Sequence, residues 1–234
     1  MKYIFGNWKL HPKTAALARE LGQKIKKSKK YEVAVFPPFP FLSIVKYPNL
    51  GAQDSFWEKE GPFTGQVSPF QLKSLKVKYA LVGHSELRTL QETNDMIALK
   101  TAALLSAKIT PVVCVGFGTQ FGDSDEKVLE IVKLQLASVA PVAEMKKIIV
   151  AYEPVWAISS GNPHATKHVA TPEHAAFVAN EIKRLYRVKA VIYGGSTTKD
   201  NSQSFLEHPK IDGLLVGGAS IVPREFNKII GIKL

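Results

Sequence analysis

The sequence predicts an α/β protein built as a single closed (β/α)8 barrel over residues 1–234. Three observations lead there. Short apolar runs rich in Val, Ile, Tyr and Phe recur about eight times along the chain. Each is followed by a longer stretch with apolar residues at three- and four-residue spacing, the period of an amphipathic helix. Most of the runs lack polar and apolar alternation, as strands buried on both faces of a parallel sheet do. No long linker, Pro/Ser-rich joint or change of composition divides the chain. The same units also allow a doubly wound open sheet, and periodicity alone does not choose between the two.

Composition sets the remaining bounds. Hydrophobic residues make up 45% and charged residues 22%, which excludes a disordered or fibrous chain. The N-terminal MKYIFGNWKL lacks the apolar core and cleavage site of a secretory signal, and no stretch of about 18 apolar residues follows. A cytoplasmic location with no membrane partner is therefore expected. The single Cys114 lies in the apolar run PVVCVG and reads as a buried small hydrophobe. The formal charge of +11 suits nucleic acid, a membrane surface or a small anionic substrate, and bears on encounter and not on fold. No aromatic-interleaved basic stripe supports nucleic acid as a partner. The dense cluster KIKKSKK, Lys24–Lys30, reads as a solvated helix end.

In a barrel the chemistry sits at the carboxyl ends of the strands, so the last residues of each run matter most. The first run, Tyr3–Lys9, ends in Asn7-Trp8-Lys9, and alternation puts Asn7 and Lys9 on one side. The second and third, Glu32–Pro37 and Leu50–Asp54, end without distinctive chemistry. The fourth, Tyr79–His84, runs into GHSELR, where a helical turn starting at Ser85 and Glu86 would disfavour protonation of the His84 imidazole. The fifth, Pro111–Gly116, opens into GFGTQFG; its glycine spacing and the missing immediate helix are wrong for a dinucleotide loop. The helical DEKVLEIVKLQLASVA follows. The sixth, Ile148–Pro154, ends at Glu153, a costly place for an uncompensated carboxylate. Beyond a small-residue loop, Thr171, Pro172 and Glu173 open the helix TPEHAAFVANEIKRLY. The seventh and eighth runs, Ala190–Ser196 and Gly213–Gly218, end in YGGS and VGGAS. Their glycine pairs let backbone N–H groups approach a ligand closely, and the loops after strands 7 and 8 are where barrels often hold phosphate.

Taken in order, GNWK, FTGQVSP, GHSE, AYEPVWAI, YGGS and LVGGAS span nearly the whole chain, and the set resembles the triosephosphate isomerase family. The resemblance implies cofactor-free interconversion of D-glyceraldehyde 3-phosphate and dihydroxyacetone phosphate through an enediolate, with glutamate as base beside a neutral histidine. Carried onto matching positions, Glu153 is the base, and His84 and Lys9 are the donors to the enediolate oxygens. Asn7 orients substrate and Lys9, Ser85 holds Glu153 at rest, and Glu86 pairs with Lys9. Backbone N–H groups of Ser159, Ser196, Gly217 and Gly218 hold the phosphate. Pro154, Val155, Trp156, Ala157 and Ile158 form the lid hinge, and Ile158 and Leu215 press on Glu153 when the lid shuts. A homodimer through the loop Gly61–Pro69 is also implied.

The chain departs from the family at several positions. The stretch Ser159–Val169 is longer than the family's short lid and hinge, and Ser159 stands where the family has glycine. Gln66 and Leu87 replace a Glu and an Arg that pair in the family, so neither charge is left unpaired. Asp54 replaces an asparagine and Phe117 a glutamate. His164 and His168 are four apart, but Pro163 and the lack of a third ligand argue against a metal. Two other readings remain open on the residues alone: a different phosphate-binding barrel enzyme, and a non-catalytic binding protein on the same scaffold.

Overall fold

The computed structural model describes residues 1–158 and 168–234. The eight apolar runs become strands β1 (Lys2–Asn7), β2 (Tyr31–Phe36), β3 (Leu50–Ala52), β4 (Val77–Val82), β5 (Thr110–Val115), β6 (Ile149–Tyr152), β7 (Ala190–Tyr193) and β8 (Gly213–Val216). They pair in sequence order, all parallel, and β8 closes on β1 through Tyr3 opposite Gly213 and Gly6 opposite Val216. Closure excludes the open sheet. It leaves no unpaired edge, so every strand interior is buried on both faces.

The strands stop about two residues short of the runs read from sequence. The runs include the polar and glycine residues that close them, and the ladder stops before these. Lys9, Gly83 and Gly116 have φ of +51°, +71° and +108°, a region extended strands do not use, and Pro154 has no N–H to give a ladder. The strand-end residues therefore leave the sheet and enter the mouth of the barrel.

The barrel interior is filled by side chains alone. Phe5 touches the rings of Phe36 and Tyr79 at centroid distances of 5.4 and 4.7 Å, and Leu81, Ile149 and Ile192 pack with them, all fully buried. Gly51 makes room for Phe36, because a methyl there would lie 2.2 Å from the ring. A second, larger cluster lies between the strands and the outer helices, with Trp8, Leu104, Val132, Ile182 and Phe226 among its members.

The helices begin where capping chemistry is present. Thr14 caps α1 (Ala15–Lys24), and Ser68 with Gln71 forms a reciprocal box on α2 (Pro69–Ser74). The short α3 (Ser85–Thr89) is capped by His84, and Thr93 caps α4 (Asn94–Ser106). Ser124 caps α5 (Asp125–Ala137), while Thr171 and Pro172 start α6 (Pro172–Tyr186). Helices α7 (Ser202–Glu207) and α8 (Pro223–Ile230) complete the ring. Among the described residues no helix is long and apolar enough to cross a membrane.

Gly51→Ala should overpack the ring contact with Phe36 and lower stability by about 1–3 kcal/mol, read as a fall in urea midpoint at unchanged slope.

Candidate active site

The mouth at the carboxyl ends of the strands brings an imidazole and a carboxylate together. His84 leaves β4 through Gly83 and caps α3. Its Nδ1 accepts the Glu86 backbone N–H at 3.2 Å. A nitrogen that accepts an N–H carries no proton of its own, so the ring proton sits on Nε2. That Nε2 lies 3.4 Å from Glu153 Oε1. Glu153 follows β6, is 1% exposed, and its backbone N–H donates to Val115 at 2.7 Å. Its Oε2 accepts the Ser85 N–H at 3.1 Å. A carboxylate this deeply buried is thus met by the N-terminal turn of α3, whose first N–H groups have no helical partner.

Lys9 comes to the same mouth from β1. Its left-handed backbone is held by Asn7, whose Oδ1 accepts the Lys9 N–H at 3.0 Å, and by Gln53, which donates to the Lys9 carbonyl at 2.8 Å. The ammonium reaches Glu86 Oε1 at 2.7 Å. Asn7 is itself buried and accepts Ser220 Oγ on its carbonyl. A cavity of about 220 Å³ opens here, with Asn7, Lys9, His84 and Ile158 on one side and Ser196, Gly217 and Gly218 on the other. Gly217 and Gly218 lead into the 3-10 turn Gly218–Ile221, whose opening N–H groups face no preceding turn of their own.

Some expected groups stand elsewhere. Glu153 does not line the cavity in this state; with Ser85 and Glu86 it flanks the lining residues. The Ser196 N–H is already committed to the Ala157 carbonyl at 2.8 Å. Pro154 precedes a 3-10 turn at Val155–Ala157, and Trp156 packs edge-on against Phe121 at 5.4 Å. Leu215 is buried beside Ile158 in the cavity wall. His168 stacks flat on Phe121 at 3.7 Å. Ser159 and His164 lie outside the described residues.

Three charged groups and an amide that sequence reasoning passed over brace this mouth, together with Asp54, which it noted only as a departure from the family. The Gly83 peptide is gripped at both ends: its N–H donates to Glu92 Oε2 at 2.9 Å and its carbonyl accepts Arg88 Nε at 2.9 Å. Lys100 then bridges Glu92 and both oxygens of Asp54, the latter at 2.8 Å. Two carboxylates and two cations make a neutral buried cage around the residue that carries His84. Burial raises the Asp54 carboxyl above its ordinary range, and Lys100 opposes that rise. Gln135 plays a similar part under Glu153. It accepts the Gly116 N–H at 2.7 Å and donates to the Phe117 carbonyl at 2.6 Å. Gly116 has no room for a side chain, since a methyl would meet the Glu153 carbonyl oxygen at 2.5 Å. The available signal was charged or amide residues on helix faces otherwise apolar. Cys114 is buried at this point, and burial first, then the Glu153 charge, pushes its thiol well above the usual range.

A closed parallel barrel with an imidazole, a buried carboxylate and a lysine at its carboxyl mouth defines a (β/α)8 enzyme. The chain belongs to the triosephosphate isomerase family, whose profile matches residues 2–233. It is 39% identical to the triosephosphate isomerase of Caldanaerobacter subterraneus subsp. tengcongensis, with 97% of each chain covered. It is 36% identical to that of Dictyoglomus turgidum, with 98% of each covered. Identity to that of Coxiella burnetii is 37%, over 97% of this chain and 94% of the relative.

Lys100→Met should cost about 3–5 kcal/mol at neutral pH by leaving buried carboxylates unpaired. Without Lys100 the folded-state value of the Asp54 carboxyl rises further above its unfolded one. That penalty grows as pH rises through the folded value and is relieved as pH falls below it. Urea unfolding of variant and parent across the acid range should show the deficit shrinking towards low pH.

Proposed function

We propose that this chain is a triosephosphate isomerase, acting in central carbon metabolism in the cytoplasm as a single catalytic domain. The observation that carries the reading is the His84 Nε2 to Glu153 Oε1 approach of 3.4 Å at the mouth of a barrel of this family. Glu153 takes a proton from the carbon beside the carbonyl, the electron pair moves to the carbonyl oxygen, and an enediolate forms. His84 through Nε2–H and Lys9 through its ammonium donate to the two enediolate oxygens. Glu153 then returns the proton to the adjacent carbon. A second proton passes from the neighbouring hydroxyl oxygen to the former carbonyl oxygen by way of His84 Nε2, so one carbon-bound and one oxygen-bound proton each change place. No net oxidation occurs, and these residues complete the reaction without a cofactor.

Positioning follows from the same contacts. Glu86 fixes the Lys9 ammonium, and Asn7 fixes the Lys9 backbone. In this reading Ser85 holds Glu153 in its resting place, from which the side chain must swing towards the cavity. The N–H groups of Ser196, Gly217, Gly218 and Ser159 take the phosphate. For Ser196 this requires exchanging its bond to Ala157, so phosphate binding and movement of the Pro154–Ile158 hinge are one event. With the hinge moved, Ile158 and Leu215 exclude water from the Glu153 carboxylate, which strengthens it as a base.

A homodimer completes the proposal. The loop Gly61–Pro69 is largely exposed, with Phe63 40% exposed at its tip over Phe56, an apolar end suited to a socket on a second copy.

Glu153→Gln should lower kcat for glyceraldehyde 3-phosphate isomerisation by about 10²–10⁴-fold with little change in KM. A variant as active as the parent, purified away from host enzyme, would sink the assignment of the base. Phe63→Asp should shift the protein from dimer to monomer in sedimentation equilibrium, and a monomeric parent would remove the dimer from the proposal.

A further inference from the structure

We propose that the end of the barrel opposite the active site is a docking face for an anionic bilayer surface. In a parallel barrel every connection from a helix to the next strand lies at this end. The connections are residues 25–30, 42–49, 75–76, 107–109, 138–148, 187–189 and 208–212, with 231–234 after α8. Together they hold thirteen lysines or arginines and two carboxylates, Glu144 and Asp212. That excess of eleven equals the formal charge of the entire chain, +11, so the remaining residues carry as many acidic as basic groups. Both carboxylates are already paired, Glu144 with Lys147 at 2.8 Å and Asp212 with Lys183 at 2.6 Å.

Helix macrodipoles do not account for the pattern. Their pull on cations fades beyond the last turn; the last-turn cations of the α-helices are Lys24, Lys73, Arg88, Lys183, Arg184 and Lys228, none of them among the thirteen, and of the thirteen only Lys146 and Lys147 end a helical turn, the three-residue 3-10 turn Met145–Lys147. The cations beyond the helices line two hollows, one of about 460 Å³ beside Lys27 and Lys29 and one of about 420 Å³ beside Lys108, Lys146, Lys147 and Lys189.

The layout favours a planar polyanion over a rod. The cations come from every connection and encircle the barrel end, whereas a duplex would contact only a strip of it. Arg187 is the one arginine among the thirteen, so the bidentate forks that read base edges are nearly absent. The tyrosines beside these connections, Tyr31 and Tyr47, are 3% and 9% exposed and offer no stacking platform. Leu75, Val142 and Leu234 are instead 39%, 50% and 49% exposed among the lysines, placed to enter a headgroup layer. Polybasic attraction to anionic lipid acts within a Debye length and weakens with salt. This departs from the sequence expectation of no membrane partner, because KIKKSKK is one of eight basic connections and not an isolated helix end. Docking by this face leaves the catalytic cavity open to solution.

The test is co-sedimentation of the whole protein with vesicles of phosphatidylcholine, with and without phosphatidylglycerol, at low and high salt. Two quadruple variants lose the same charge. One changes Lys27, Lys29, Lys146 and Lys147 to Gln, and the other changes Lys13, Lys127, Lys133 and Arg224 to Gln, all exposed and away from that end. The parent should bind only vesicles containing phosphatidylglycerol, and high salt should release it. The first variant should bind at least about 100-fold more weakly and the second nearly as well as the parent. Circular dichroism and triose phosphate turnover should be unchanged in both, which keeps a folding defect apart from lost binding. No binding to anionic vesicles, or equal weakening by both variants, would overturn the proposal. Tighter binding to an RNA duplex than to the vesicles at equal salt would also overturn it.

Discussion

Closing eight parallel strands into a ring is the constraint on which the rest of the molecule depends. Parallel pairing makes every strand point the same way, and closure brings all eight carboxyl ends to one mouth. Residues as distant in sequence as Lys9, His84 and Glu153 meet there without any long-range side-chain interaction to recruit them. The ladder supplies proximity; the local backbone supplies aim. Lys9, Gly83 and Gly116 each take a positive φ where their strand ends. Glycine does so freely, whereas Lys9 is strained there and is held by surrounding contacts. Asn7 and Gln53 hold Lys9, Glu92 and Arg88 hold the Gly83 peptide, and Gln135 holds Gly116.

Much of the fold was legible because burial on both faces leaves unbroken apolar runs, and β6, β7 and β8 are buried at every residue. Their carboxyl boundaries were not legible, since the polar ends of Tyr79–His84 and Ile148–Pro154 mark the site and not the last ladder bond, at Val82 and Tyr152. Closure was legible from eight unbroken units with no linker between them, and not from periodicity, which is the same for an open doubly wound sheet. The helix starts were clear at Thr171 and Pro172, where capping residues sit directly before an apolar period.

The polar residues at strand ends announced the site, but its bracing did not. Arg88 and Lys100 sit in helices and Glu92 in the link between them, where charged residues are read as solvent-facing. Only the packing of α3 and α4 against β4 and β5 shows that all three point inward. Asp54 gains its meaning in the same way. In isolation it is a departure from the family's asparagine; beside Lys100 it is the second carboxylate of a neutral cluster. Ser196 illustrates the opposite case, where the sequence identifies a donor and the structure finds it engaged with Ala157.

The uneven placement of charge changes how the molecule behaves in an electric field. A basic chain is readily pictured as a diffuse cation that attracts a dianionic substrate from all sides. Here the excess lies at the far end, roughly 20 Å from the mouth along a strand of six residues, and the Debye length in physiological salt is only about 8 Å. The protein is therefore better described as a dipole whose negative pole, relative to its centre, is the entrance to the cavity. An anion approaching the cavity meets a screened region of nearly balanced charge, and long-range steering has little part in its approach.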